Sequence, residues 1–198
     1  IHEQVKQRGG KDVLWSCSIN PDMLDEQMIK TLQTHDLITV RESITYNALL
    51  QKNIKQVRLF PDVAFGLVPK MVPLPRVYNE YDIVAINISP LCIRRETKRG
   101  SIITNILNLI DFIINKTHMA IAFVPHVVMP MDNDFLILAD LHEYCCEKYG
   151  KERFELIGDK FSAAEYKYII SKSKFGIFAR THASIAAYST NIPCIAIG

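Results

Sequence analysis

Strand-like and helix-like segments alternate along almost the whole chain, and this alternation restricts the fold more than any other feature. Short apolar runs rich in β-branched residues read as buried strands. The segments between them place apolar residues at helical spacing, which argues for parallel strands with helices packed on the faces of a sheet. Val13 to Cys17, Leu37 to Val40 and Val57 to Phe60 read as strands, with helices over Asp22 to Thr31 and Glu42 to Gln51. A proline-broken stretch from Pro61 to Tyr81 follows, too long for a tight connection. The alternation then resumes. Strands are predicted over Asp82 to Ile88, Met119 to Val124, Phe154 to Ile157, Phe175 to Ala179 and Pro193 to Ile197. Helices are predicted over Ser101 to Asn115, Asp134 to Tyr149, Ser162 to Ser171 and Thr181 to Ser189, with Ser162 and Glu165 forming a capping box. The expected organisation is the C-terminal part of a first Rossmann-like domain over residues 1–66, a linker over 67–81 and a second Rossmann-like domain over 82–198. The chain opens on Ile1 and stops just after an apolar run, so the first domain is expected to be incomplete and the second truncated at its end.

Composition excludes several function classes. A net charge of +2 drawn from interspersed signs gives no basic tract for nucleic acid. No apolar run is long enough to span a bilayer, and no charged-then-apolar leader is visible, so a cytoplasmic location is expected. Five cysteines, an odd set without metal-finger spacing, suit a reducing compartment, and no metal site is expected. Glycine-rich phosphate loops are absent, which disfavours dinucleotide and triphosphate chemistry.

Parallel strands bring their carboxyl ends to one edge, so residues just after each strand converge although they lie far apart in sequence. In the second domain these are Ser89 and Pro90, Pro125 and His126, and Arg180 and His182; in the first they are Ser18, Arg41 and Asp62. Two such edges facing one another would make an interdomain cleft. Arg180 either pairs with an acidic neighbour or holds a carboxylate or phosphate by two parallel hydrogen bonds. His182 is either a structural histidine in a helix's first turn or, beside Arg180, a general acid. His126 reads first as a turn-fixing residue. Arg41 sits at the start of a helix, where a cation is poorly matched to the dipole, which hints at an anion. The run from Arg94 to Arg99 reads as a solvated loop that lends positive potential, and Asp132 and Asp134 read as caps for the following helix.

The run Phe175 to Ala187, with Arg180, His182 and Ala183 at its centre, followed by Ile192 to Ala196, resembles the Arg-x-His-Ala signature of the polysaccharide pyruvyl transferases. Leu37 to Ser43, Phe60 to Phe65, and Ala122 to His126 with Asp134 downstream resemble the same family in the same order. The resemblance implies a two-domain architecture similar to the B-type glycosyltransferases. It also implies phosphoenolpyruvate as donor substrate, with no cofactor, and a pyruvate ketal formed on a sugar of a cell-surface polysaccharide or of its lipid-linked precursor. By similarity, Arg180 and His182 would be catalytic, holding and activating the donor. Arg41, His126, Ser89, Ser18, Asp62 and Thr181 would bind substrate. Peripheral contact with membrane-bound assembly machinery is also implied. Two rival functions remain: a glycosyltransferase using a nucleotide sugar, and a non-catalytic carbohydrate-binding protein.

Overall fold

Three short parallel strands build the first of two units in the computed structural model, which describes residues 2–197. The first unit ends at Phe65 and the second begins at Gly66. The elements of the first are α1 (His2–Gln7), β1 (Val13–Cys17), α2 (Glu26–Gln33), β2 (Leu37–Val40), α3 (Ser43–Gln51) and β3 (Val57–Leu59), with the strands in the order β1-β2-β3. Ile38, Val40, Leu49, Ile54 and Val57 form its buried centre. The predicted helix over 22–31 divides in two. Pro21 opens a 3-10 turn over Pro21–Met23, and the Asp25 carboxylate then accepts the amide of Met28 at 2.7 Å, so α2 starts afresh and runs two residues further. Between Leu14 and Cys17 the pairing of β1 with β2 is irregular. There Ser16 takes a left-handed φ of 51° and its amide turns to the Thr39 hydroxyl at 2.7 Å.

The second unit contains α4 (Val77–Glu80), β4 (Ile83–Asn87), α5 (Pro90–Arg94), α6 (Ser101–Lys116), β5 (Ala120–Phe123), β6 (Val128–Met129), β7 (Asp132–Asn133), α7 (Asp134–Tyr149), β8 (Phe154–Leu156), α8 (Ala163–Ser171), β9 (Phe175–Phe178), α9 (Thr181–Tyr188) and β10 (Cys194–Ala196). Its five-stranded sheet has the order β10-β9-β4-β5-β8 and is parallel throughout. β4 and β5 are buried at every position because helices cover both faces. Alternate residues feed two cores. Ile83, Ala85, Ala120 and Ala122 meet α8 and α9 through Ile169, Ile170, Ala183 and Ala187. Val84, Ile86, Ile121 and Phe123 meet α6 and α7 through Ile106, Ile110, Leu138 and Leu141. The small residues of α9 let it lie close to the sheet, and the Ser162–Glu165 capping box opens α8 as predicted. Much of the proline-rich stretch lies along this unit, with Val72 and Leu74 against the first core and the Lys70 amide bonded to the Ala164 carbonyl at 2.9 Å.

From β4 the chain moves outward through β5 to β8, then returns to lay β9 against the other side of β4 and β10 beyond it. The order therefore reverses between β4 and β9. Loops leaving these two strands diverge to opposite faces, and the opening between them is where α/β sheets of this kind take ligands. Among the described residues, no helix is long and apolar enough to cross a membrane.

Candidate functional site

The buried centre of the rim is a carboxylate. Asp134, at the first position of α7, is fully buried, and its oxygens accept from several donors. Arg180 Nε and Nη2 approach Oδ1 at 3.1 and 2.7 Å, the amides of His126 and Val127 donate to Oδ2 at 3.1 and 3.0 Å, and Asn87 Nδ2 donates to the same oxygen at 3.0 Å. Three strand ends are thus tied together: β4 through Asn87, β5 through the turn at His126, and β9 through Arg180. The helix cap that sequence reasoning assigned to Asp132 and Asp134 is made by Asn133, whose side chain accepts the amide of Phe135 at 2.9 Å. Asp132 instead meets Arg180 Nη2 at 2.8 Å. The Arg180 fork, read from the sequence as open to an anion or an acidic neighbour, faces two carboxylates of its own chain. Burial pulls its pKa downward, but the two carboxylates outweigh this and hold the guanidinium charged.

His126 and His182 flank this pair. His126 is mostly buried, its Nδ1 has no hydrogen-bond partner among the described residues, and its ring lies 5.8 Å from that of Tyr166. Burial lowers its pKa to about 4; positive charge on His182 and Arg180 acts in the same direction, and Asp134 opposes. The imidazole is therefore neutral near pH 7, and the sign of its effect on stability follows. Its folded pKa lies below the unfolded value of 6.5, so the folded state binds fewer protons in that window. The stabilisation is complete above the unfolded value and is lost as pH falls toward about 4. Urea midpoints should decline on that acid limb, and His126→Gln should flatten the decline; an unchanged slope in the variant would remove His126 from the account. His182 is exposed in the first turn of α9 and close enough to His126 for their charges to interact.

At α9's start lies a groove of about 530 Å³, lined by Leu91, Arg95, Thr97, Ser101, Ala179 and Thr181 among others. Ser89 does not reach outward: it is buried, and its hydroxyl caps α5 by accepting the Leu91 amide at 3.1 Å. The first amides of α6 are occupied by Glu96, whose carboxylate accepts from Gly100 and, at 3.2 Å, from Ile102. α9 differs. Arg180 is its N-cap residue and provides no side-chain cap, because its guanidinium is turned to Asp134. An anion in the groove would meet the positive end of α9, the Thr181 hydroxyl and the Arg95 guanidinium.

In the first unit, Arg41 follows β2 and Asp62 follows β3, and they form an ion pair at 2.8 Å with Asp62 also accepting the Ala64 amide at 2.9 Å. The Ser18 hydroxyl donates to Glu42 at 3.2 Å. Sequence reasoning missed Asn87 and the role of Asp134. One signal for Asn87 was visible, since it is the lone amide within the otherwise apolar run Ile83 to Ile88. Among the described residues no group of three or more His, Cys, Asp or Glu side chains is placed to hold a metal ion.

These features define an α/β protein with parallel, Rossmann-like sheets of the glycosyltransferase type. Solved structures sharing the fold include a Listeria monocytogenes protein assigned as a UDP-N-acetylglucosamine 2-epimerase (TM-score 0.68, 12% identity), Staphylococcus aureus MnaA solved with UDP (0.64, 15%) and the UDP-GlcNAc 2-epimerase of Methanocaldococcus jannaschii (0.62, 14%). Each match covers 98% of this chain but only 53%, 53% and 56% of the other, so the chain spans about half the length of these structures. No curated protein matches it in sequence. The chain belongs to the polysaccharide pyruvyl transferase family, whose sequence model matches residues 3–198.

Proposed function

We propose that this chain forms part of an enzyme that moves the pyruvyl group of phosphoenolpyruvate onto a saccharide as a ketal, releasing phosphate. The acceptor is a cell-surface polysaccharide or its lipid-linked precursor. The observation that carries this reading is the start of α9, whose N-cap residue Arg180 gives no side-chain cap and which is placed where the strand order reverses. It lines a groove with Arg95 and Thr181 and carries His182 in its first turn. Phosphoenolpyruvate presents a carboxylate and a phosphate close together, which suits a helix N-terminus backed by a guanidinium and a hydroxyl. Arg180 acts chiefly by holding α9 in place through Asp134.

In the reaction, His182 donates a proton to the methylene carbon, leaving positive charge on the central carbon. A sugar hydroxyl bonds there, the bond from that carbon to the phosphate oxygen breaks, and a second hydroxyl completes the ketal. Of the two hydroxyl protons released, one leaves with the phosphate and the other returns to His182. Arg95 offsets the donor's negative charge while this occurs.

The competing reading is a nucleotide-sugar transferase, which the fold neighbours favour, since one of them was solved with UDP. Thermal unfolding separates the two. Phosphoenolpyruvate at about a hundredfold excess over its dissociation constant should stabilise the protein by about 2.7 kcal/mol, a rise in Tm of roughly 5–10 °C for a chain of this size. A rise with a uridine or guanosine diphosphate sugar and none with phosphoenolpyruvate would overturn the proposal. Saccharide binding without phosphate release would assign a non-catalytic role instead. Arg41→Ala in the same assay tests whether the first unit's rim also holds an anion.

A further inference from the structure

Between β5 and α7 the chain projects the β6–β7 hairpin, and its tip is apolar and bare. Val128, Met129 and Met131 are 41%, 65% and 88% exposed, with Pro130 between the two methionines also exposed. Beside the hairpin's base runs a segment carrying Arg94, Arg95, Lys98 and Arg99, all exposed, and Arg94 Nη2 lies 3.4 Å from Asp132 Oδ1. The carboxylates of this region are engaged within the chain, Asp132 by Arg180 at 2.8 Å as well as by Arg94, and Glu96 by the α6 amides. The outward face is therefore an apolar point in a basic surround.

We infer that the hairpin tip and the segment over residues 94–99 dock the protein on an anionic lipid surface. Flexible methionine side chains at a hairpin tip can enter the headgroup region without disturbing any core, while lysine and arginine of the segment that meets the hairpin's base contact lipid phosphates. A second copy fits this face poorly, because a two-fold contact would set the same cations against one another. The hairpin is bounded by His126 on one side and Asp134 on the other, so docking would hold the candidate site close to a membrane. The inference stands on the surface itself and not on the chemistry proposed above.

Co-sedimentation with vesicles tests it independently of activity. The protein is expected to bind vesicles containing phosphatidylglycerol, to bind pure phosphatidylcholine weakly, and to be released by added salt. Lys98→Ala and Arg99→Ala should each weaken binding about fivefold, and Met131→Asp about tenfold or more, with thermal unfolding unchanged because all three positions are exposed. Failure of the protein to bind phosphatidylglycerol vesicles, or equal binding by the variants, overturns the inference. So does a dimer in sedimentation velocity that Met131→Asp dissolves in the absence of vesicle binding, since the tip then belongs to a second copy.

Discussion

Asp134→Ala is expected to destabilise the protein by about 3 kcal/mol, read as a lowered urea midpoint, and to depress turnover with it. The carboxylate is wholly inside the fold, so its loss leaves the Nε of Arg180, the Asn87 amide and two backbone amides without their acceptor. Asp132 remains beside Arg180 at 2.8 Å, which keeps the effect at the lower end for a broken buried pair. Asp134→Asn retains an oxygen for the amides of His126 and Val127 but loses the charge, and should cost about half as much. Arg180→Ala is the reciprocal case and should be at least as damaging, because a buried carboxylate is then left with only neutral donors. Arg180→Lys should recover little, since a point charge cannot reproduce the two-pronged contact at Nε and Nη2. A shift smaller than about 1 kcal/mol in Asp134→Ala would mean that this pair does not hold the strand ends together.

The same residue shows where sequence reasoning succeeds and where it stops. Alternation and length were sufficient to locate all five strands of the second unit's parallel sheet within one residue at either end, because such strands are short, near-continuous apolar runs, those at its centre buried on both faces. The positions of Arg180, His126 and His182 at strand ends followed from the parallel arrangement. What Arg180 touches did not, because its partner is 46 residues away and an aspartate at a helix start reads locally as a cap. Only the tertiary turn of the chain at His126 places that aspartate beneath β9. Asn87 could have raised the question, since an amide within a buried apolar strand needs partners. The β6–β7 hairpin escaped notice for a different reason. Strands of two residues carry no periodicity, and Pro130 between two methionines reads equally well as a loop.

His182→Ala should lower the rate of phosphate release from phosphoenolpyruvate by roughly 10²–10⁴, the span usual for removing a positioned proton donor. The imidazole is exposed and α9 continues past it on buried alanines, so the substitution leaves the packing of the helix intact. Stabilisation by phosphoenolpyruvate should therefore survive in the variant, which separates a lost chemical step from lost binding. Reaction in D2O adds a second readout. If the methylene carbon is protonated during transfer, the methyl group of the product gains a single deuterium, and the residual turnover of the variant should retain that labelling while running slower. His182→Gln serves as the steric control: it keeps a hydrogen-bonding side chain in the first turn of α9 but cannot deliver a proton at neutral pH, so it should be nearly as slow as alanine. Near-normal turnover in both variants would remove His182 from the reaction. The groove beside Arg95 and Thr181 would then remain an anion-binding site in need of a different acid.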